Sequence, residues 1–144
     1  MLCPYHFKMI LTPCKYNHEL FQIASSGNVL DVDCECNTPI FDKHGKKYLE
    51  LNVGHSDECV SFLTSLEGAM NDRFRTQQIL PYTIVAKLPF RYGRFELKVS
   101  DEEGYLRTTD DVRANTRLRV RLEVTSVYDY GVHWMVRHIT ILNI

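Results

Sequence analysis

The stretch "TRLRVRLEV", residues 116–124, constrains the fold more strongly than any other part of the sequence. Leucine or valine occupies every second position from Leu118 to Val124, and charged residues stand between them. Alternation with period two is typical of a β-strand that buries one face and exposes the other. The exposed face then carries a row of arginines, although the net charge of the chain is only −1. What this row of arginines contacts is the question that the sequence poses.

Similar alternation predicts further strands over residues 19–24 and 29–36, and a hairpin over residues 38–53 with Gly45 in its turn. An amphipathic helix is predicted from Ser56, whose side chain can cap it, to Phe74. A last hairpin runs through "YDYG", and its second strand requires a bulge near His138 to keep its apolar residues inward. Seven or so short strands and one helix predict a mainly β (α+β) fold, a small closed antiparallel barrel.

Composition narrows the class of protein. A chain of 144 residues with 44% hydrophobic content is long enough for one domain with a self-sufficient core. No run of apolar residues is long enough to span a membrane, and the first residues do not resemble a signal peptide. The odd count of five cysteines then predicts reduced thiols in an intracellular protein. We expect an N-terminal extension over residues 1–18 and one domain over residues 19–144.

Few motifs point to catalysis or to a cofactor. The sequence contains neither a glycine-rich phosphate loop nor a nucleophile elbow, so we expect a protein that is not an enzyme. Four residue types that bind zinc lie near the start of the chain, at Cys3, His6, Cys14 and His18. Because their spacing is irregular, we predict neither a bound metal nor another cofactor, and metal binding at these four residues stays open.

The charge of the chain is unevenly distributed. Residues 1–70 hold five Lys/Arg and nine Asp/Glu, whereas residues 71–144 hold twelve Lys/Arg and nine Asp/Glu. In the second half, basic and aromatic residues are interleaved in "LPFRYGRFELK" and in "YDYGVHWMVR". Cations that contact phosphates, beside rings that stack on bases, are what binding to single-stranded nucleic acid requires. This pattern favours a nucleic-acid surface, and a sheet face that is merely solvated is the alternative.

The candidate nucleic-acid contacts fall into two groups. The basic residues predicted to pair with phosphates are Lys47, Arg91, Arg94, Arg119 and Arg121. The tyrosines predicted to stack on bases are Tyr48, Tyr92 and Tyr130. Phe95 and Trp134, in contrast, are expected in the core because of their phase along the strands.

The succession "GKKYLELNV", a helix, "LPFRYGRFELKV" and "RLRVRLEVTSVYDYGVHWMVRHITIL" resembles the single-stranded DNA-binding proteins of large DNA viruses, such as poxviruses and asfarviruses. The likeness covers roughly residues 40–144 and is strongest in the final hairpin with its tryptophan. It implies an OB-fold and sequence-independent binding of exposed strands during viral DNA replication or recombination. It also implies a location in the host nucleus or cytoplasm.

The hypothesis drawn from the sequence is a non-catalytic protein that binds single-stranded DNA. Binding of RNA and assembly into a homo-oligomer stay open as alternatives for its partners. The competing hypothesis is a structural or interaction protein, such as a virion component, whose arginine face meets an acidic partner. A basic face inside a chain of almost neutral charge suits either partner, because it attracts one polyanion without general adhesion.

Overall fold

The computed structural model of the protein describes residues 11–13, 21–23, 29–70, 82–128 and 131–142. The strands before the helix are β1 (Leu11–Pro13), β2 (Phe21–Ile23), β3 (Val29–Cys36), β4 (Phe41–Lys43) and β5 (Lys46–Asn52). Helix α1 covers Asp57–Met70. The strands after it are β6 (Thr83–Leu88), β7 (Phe90–Arg91), β8 (Arg94–Phe95), β9 (Lys98–Asp101), β10 (Leu106–Arg107), β11 (Arg117–Tyr128) and β12 (Gly131–Ile141), with a short 3-10 helix at Thr109–Asp111. A mainly β structure with one α-helix is therefore confirmed for the described residues.

Five of the strands pair in a ring. β3 pairs with β5, β5 with β6, β6 with β12, β12 with β11, and β11 again with β3. These pairings are antiparallel except the one between β6 and β12, which is parallel. The parallel contact was not predicted from the sequence. Beyond the ring, β9 and β10 extend the sheet from β12, and β2 and β1 extend it from β11.

The alternation in β11 has the predicted consequence. Leu118, Val120 and Leu122 are completely buried, whereas the arginines between them are exposed. The same phase holds on β3, where the apolar residues point inward and the acidic residues point outward. The apolar core is therefore enclosed by the inner faces of the ring strands.

Helix α1 begins at the predicted cap and covers part of this core. The backbone N–H of Cys59 donates to Oγ of Ser56 at 3.2 Å, which satisfies one of the free donors of the first turn. Phe62 lies against Trp134, with 5.9 Å between the ring centroids. The helix predicted from the sequence continued to residue 74, and its part after Met70 lies outside the described residues.

Among the described residues, no helix has the length and apolarity needed to cross a membrane.

A bulge lies where the slip in hydrophobic phase predicts it. Arg121 pairs with His138, but the next residue, Leu122, pairs with Val136, so that Arg137 is an extra residue in β12. An extra residue of this kind bends the strand and reverses the phase of its side chains. Because of this change of phase, Trp134 and Ile139 both point into the core, where they are 4% and 0% exposed.

The predicted domain boundary at residue 18 falls outside the described residues.

We expect Phe62→Ala to lower the free energy of unfolding by about 3–5 kcal/mol, because it leaves a cavity beside Trp134. Urea unfolding monitored by the fluorescence of Trp134, the single tryptophan of the chain, measures this change. The control is Thr64→Ala on the exposed face of the same helix, for which we expect a change within about 0.5 kcal/mol. Equal losses for the two variants would contradict the packing of α1 described here.

Candidate nucleic-acid interface

Two short hairpins carry the same four-residue pattern at their tips, a basic residue, a ring, a glycine and a second basic residue. "KHGK" joins β4 to β5, and "RYGR" joins β7 to β8. Both central residues of each turn have positive φ, 55° and 78° for His44 and Gly45, and 54° and 79° for Tyr92 and Gly93. Two-residue turns of this type match the twist of a hairpin, but a positive φ is unfavourable for a bulky residue such as Tyr92.

Both hairpins place two like charges opposite each other next to the turn. Lys43 pairs with Lys46, and Arg91 pairs with Arg94. Like charges directly opposite on neighbouring strands destabilise a sheet. Among the ion pairs of the described residues, none involves Lys43, Lys46 or Arg94, and Arg91 Nε lies 3.7 Å from a Glu96 carboxylate oxygen. Lys43, Lys46 and Arg94 therefore have no ion-pair partner within the described chain, although the Asp42 carboxylate lies in the first turn, where it accepts from the Gly45 N–H at 3.1 Å.

The two hairpins are neighbours because β5 and β6 pair. Lys47 on β5 lies opposite Leu88, just before β7 begins. Its Nζ atom lies 4.9 Å from the ring centroid of Phe90 and 2.9 Å from a carboxylate oxygen of Asp42. The hydrogen bond from Lys47 lowers the pKa of Asp42 below its usual value. We call residues 41–50 and 87–96 together the hairpin surface.

The hairpin surface combines cations with accessible rings. Its Lys and Arg residues outnumber its acidic residues by six to three; the basic ones are Lys43, Lys46, Lys47, Lys87, Arg91 and Arg94, and the acidic ones are Asp42, Glu50 and Glu96. The Tyr92 side chain is 91% exposed. Tyr48 lies next to Phe41 in a stacked pair, with ring centroids 5.9 Å apart and an angle of 28° between the ring planes. These are the two components that binding to single strands uses, positive charge and flat rings.

The positive field extends to the outer face of β6 and β12. On β12, His133 is an exposed residue whose ring is nevertheless partly desolvated. This desolvation lowers the pKa of His133, and the charges of Lys46 and Lys87 lower it further. Both effects disfavour the protonated ring, because burial removes water from its charge and the two ammonium groups repel it. An anion bound between these residues would offset that repulsion.

The exposed arginines of β11 have partners on β3. Arg121 lies opposite Asp31, Arg119 opposite Asp33, and Arg117 opposite Glu35. We call these three cross-strand pairs the charge ladder. Nε of Arg119 donates to Asp33 Oδ1 at 2.8 Å, and Nε of Arg121 donates to Asp31 Oδ1 at 2.9 Å. These hydrogen bonds raise the pKa of both guanidinium groups.

The structure thus divides the predicted contact residues. Five of them lie on the hairpin surface, namely Lys47, Tyr48, Arg91, Tyr92 and Arg94. Arg119 and Arg121 lie in the charge ladder with carboxylates already bound to them, and their role as phosphate contacts stays a prediction. Tyr130 lies outside the described residues.

Sequence reasoning overlooked Lys43, His44 and Lys46 at the first hairpin tip, and also Lys87 on β6. A signal was present, because "KHGK" repeats the pattern of "RYGR" around a glycine turn.

The cysteines and histidines at Cys3, His6, Cys14 and His18 lie outside the described residues. Within the described part of the chain, no three His, Cys, Asp or Glu residues are grouped so that they could hold a metal ion.

Comparison of the chain with protein-family models, with curated proteins and with solved structures finds no match. The function therefore has to be inferred from the residues of the surface itself.

We expect Arg94→Glu to raise the free energy of unfolding by roughly 0.2–1 kcal/mol, because it replaces a like-charged cross-strand pair with Arg91 by an attractive one. The matched control is Arg117→Glu, which makes the same charge change opposite Glu35. This control should lower the free energy of unfolding by a similar amount. Urea unfolding of the two variants at low salt measures the contrast, and two changes of the same sign would contradict it.

Proposed function

We propose that this protein binds single-stranded DNA independently of sequence and without catalysis, and that the hairpin surface is its contact. The observation that carries the proposal is the pair of basic hairpin tips. At each tip the sequence keeps two like charges opposite each other, where mixed charges would make a more stable sheet. A phosphate backbone would neutralise both pairs at once, because it is a continuous row of negative charges.

Tyr92 gives independent support. Its ring is 91% exposed, and its backbone holds a positive φ of 54°, which favours asparagine or glycine at that position of the turn. Neither core packing nor turn geometry explains a tyrosine there. An exposed ring between Arg91 and Arg94 is well placed to stack on an unpaired base while the arginines contact the flanking phosphates.

We further propose that the ring of five strands is an OB-fold barrel. OB-folds are five-stranded, partly open Greek-key barrels that bind oligonucleotides on the face of their second and third strands and on the loops between strands 1 and 2 and between strands 4 and 5. In chain order, the second and third strands of this ring are β5 and β6. The hairpin surface includes parts of these two strands and of the connection between the first and second ring strands, which holds β4, and this supports the assignment. The β7–β8 hairpin lies in the connection between the third and fourth ring strands. The resemblance to viral single-stranded DNA-binding proteins adds genome replication or recombination as the setting.

The charge ladder has a different place in this proposal. A phosphate that contacts Arg119 or Arg121 has to compete with Asp33 or Asp31, whose carboxylates are already hydrogen bonded to the guanidinium groups. Among the described residues, no carboxylate lies equally close to Arg91 or Arg94, since Glu96 is 3.7 Å from Arg91. Lys47 is bonded to Asp42 at 2.9 Å and meets the same competition as the charge ladder. We therefore assign the main phosphate contacts to Arg91 and Arg94 of the hairpin surface.

A titration of labelled oligo-dT tests the charge contribution. We expect Arg91→Ala/Arg94→Ala to weaken binding and to flatten the plot of log affinity against log salt by up to about 1.4, since each lost phosphate contact removes roughly 0.7. The double variant Arg119→Ala/Arg121→Ala removes the same formal charge and should change the slope less. A larger loss of affinity and salt slope for the second variant would place the main phosphate contacts at the charge ladder instead. Absence of saturable binding by the folded wild type at about 50 mM salt would refute the proposed function.

A second substitution separates stacking from charge. Tyr92→Asn removes the ring but suits the positive φ of the turn, so we expect the protein to remain folded. Affinity for oligo-dT should fall by a factor that corresponds to about 1–3 kcal/mol, and the salt slope should not change, because a stacked base releases no counterion. The same change at Tyr105, which is 69% exposed and lies outside the hairpin surface, is the control. Equal effects at both tyrosines would refute a stacking role for Tyr92.

A second candidate function is a non-enzymatic interaction protein. It is favoured by β10, which ends the strand order of the sheet and follows the exposed Tyr105. Leu106 in this strand is 74% exposed. An end strand with exposed apolar side chains can pair with a strand of another protein. The oligo-dT titration distinguishes the two functions, because an interaction protein of this kind predicts no saturable binding.

A further inference from the structure

A cavity of about 430 Å³ opens beside the hairpin surface. It lies between the connection from β3 to β4, the β4–β5 hairpin, β8 and the 3-10 helix. Its apolar wall includes Ile40, Phe41 and Phe95. The charged residues of its lining are Asp42, Lys47, Asp110 and Arg113. Phe41, Lys47 and Phe95 also belong to the hairpin surface, so the cavity and that surface are continuous.

The lining matches the chemistry of a nucleobase. A base has two flat apolar faces and an edge of hydrogen-bond donors and acceptors. The lining includes two aromatic residues, Phe41 and Phe95, which also pack against Tyr48 and Phe90. Aromatic residues suit the faces of a base, and the residue types of Asp110 and Arg113 can supply an acceptor and a donor for its edge. The volume of the cavity is within the range of small-molecule sites and is much larger than the volume of one water molecule.

The position of Lys47 connects the cavity with a bound strand. Its Nζ is hydrogen bonded to Asp42 at 2.9 Å and lies over the Phe90 ring at 4.9 Å, so the ammonium group stands where the cavity meets the two hairpins. A phosphate at this ammonium would bring the attached nucleoside to the mouth of the cavity. Lys47 would then contact the backbone through a donor that Asp42 leaves free, because an ammonium group has three, while the cavity takes the base.

We propose that this cavity receives one unpaired base of the strand that crosses the hairpin surface, an inference that rests on the proposed function. Such a site would make binding depend on the presence of a base as well as on charge. Because the lining offers both a carboxylate and a guanidinium, it can accept bases of more than one type. It would hold the strand in a fixed register on the protein.

The test fills the cavity and compares two probes. Thr109 lines the cavity and is half-buried at the start of the 3-10 helix, and Thr109→Trp would occupy the space of the base. The matched control is Thr64→Trp on the exposed face of α1. The probes are labelled oligo-dT and a strand of equal length in which every base is replaced by an abasic site.

We expect Thr109→Trp to weaken binding of oligo-dT at least about fivefold, since one base contact is worth 1 kcal/mol or more. Its affinity for the abasic strand and its salt slope should stay at the wild-type values, and Thr64→Trp should change neither. Unchanged binding of oligo-dT by the folded Thr109→Trp protein would overturn the base site and leave the proposed function intact. Failure of the wild type to bind either probe would overturn both.

A second measurement does not depend on the folding of a variant. An oligonucleotide that carries 5-iodouracil is bound to the wild-type protein, irradiated and analysed by mass spectrometry. We expect crosslinks to Phe41 or Phe95, the two rings of the cavity wall. Crosslinks confined to Tyr92 and other residues outside the cavity would overturn the base site, whereas the binding itself would still support the proposed function.

Discussion

Strand β11 is hydrogen bonded along both edges, to β3 on one side and to β12 on the other, and the remaining structure depends on this double pairing. It closes the ring of strands, and it fixes the direction of every side chain in β11. Leu118 and Val120 can be buried only if Arg119 is exposed, because a slip of one residue would exchange the two faces. The same constraint acts on β3, so that outward carboxylates of one strand meet outward guanidinium groups of the other.

Two basic regions of the protein therefore have different physical characters. In the charge ladder, opposite charges face each other. These pairs stabilise the contact between β3 and β11, and their charges largely cancel. At the hairpin tips, like charges face each other, and Tyr92 adds an unfavourable backbone conformation. Departures of this kind from the most stable choice are concentrated at functional sites in proteins. The contrast points to the hairpin tips, and the number of arginines alone does not.

Features determined by near neighbours in the sequence could be predicted. The inward residues of β3 and β11, the turn at Gly45, the cap at Ser56 and the bulge near His138 follow from periodicity or from local hydrogen bonding. The partners of the arginines could not be predicted, since Asp33 and Arg119 are 86 positions apart. Alternation states that a face is exposed, but it does not state which strand lies beside it. The adjacency of the two hairpins depended in the same way on the pairing of β5 with β6.

The long separation between β3 and β11 also has a consequence for synthesis of the chain. Asp31 and Arg121 are 90 positions apart, so their strands can meet only after the residues between them and β11 itself have left the ribosome. Until then, the edge of β3 that pairs with β11 in the folded protein lacks that strand. Structures dominated by such distant pairings fold slowly, and an unpaired strand edge can associate with other chains in the meantime. Strand β11 is thus the segment whose arrival ends this exposure.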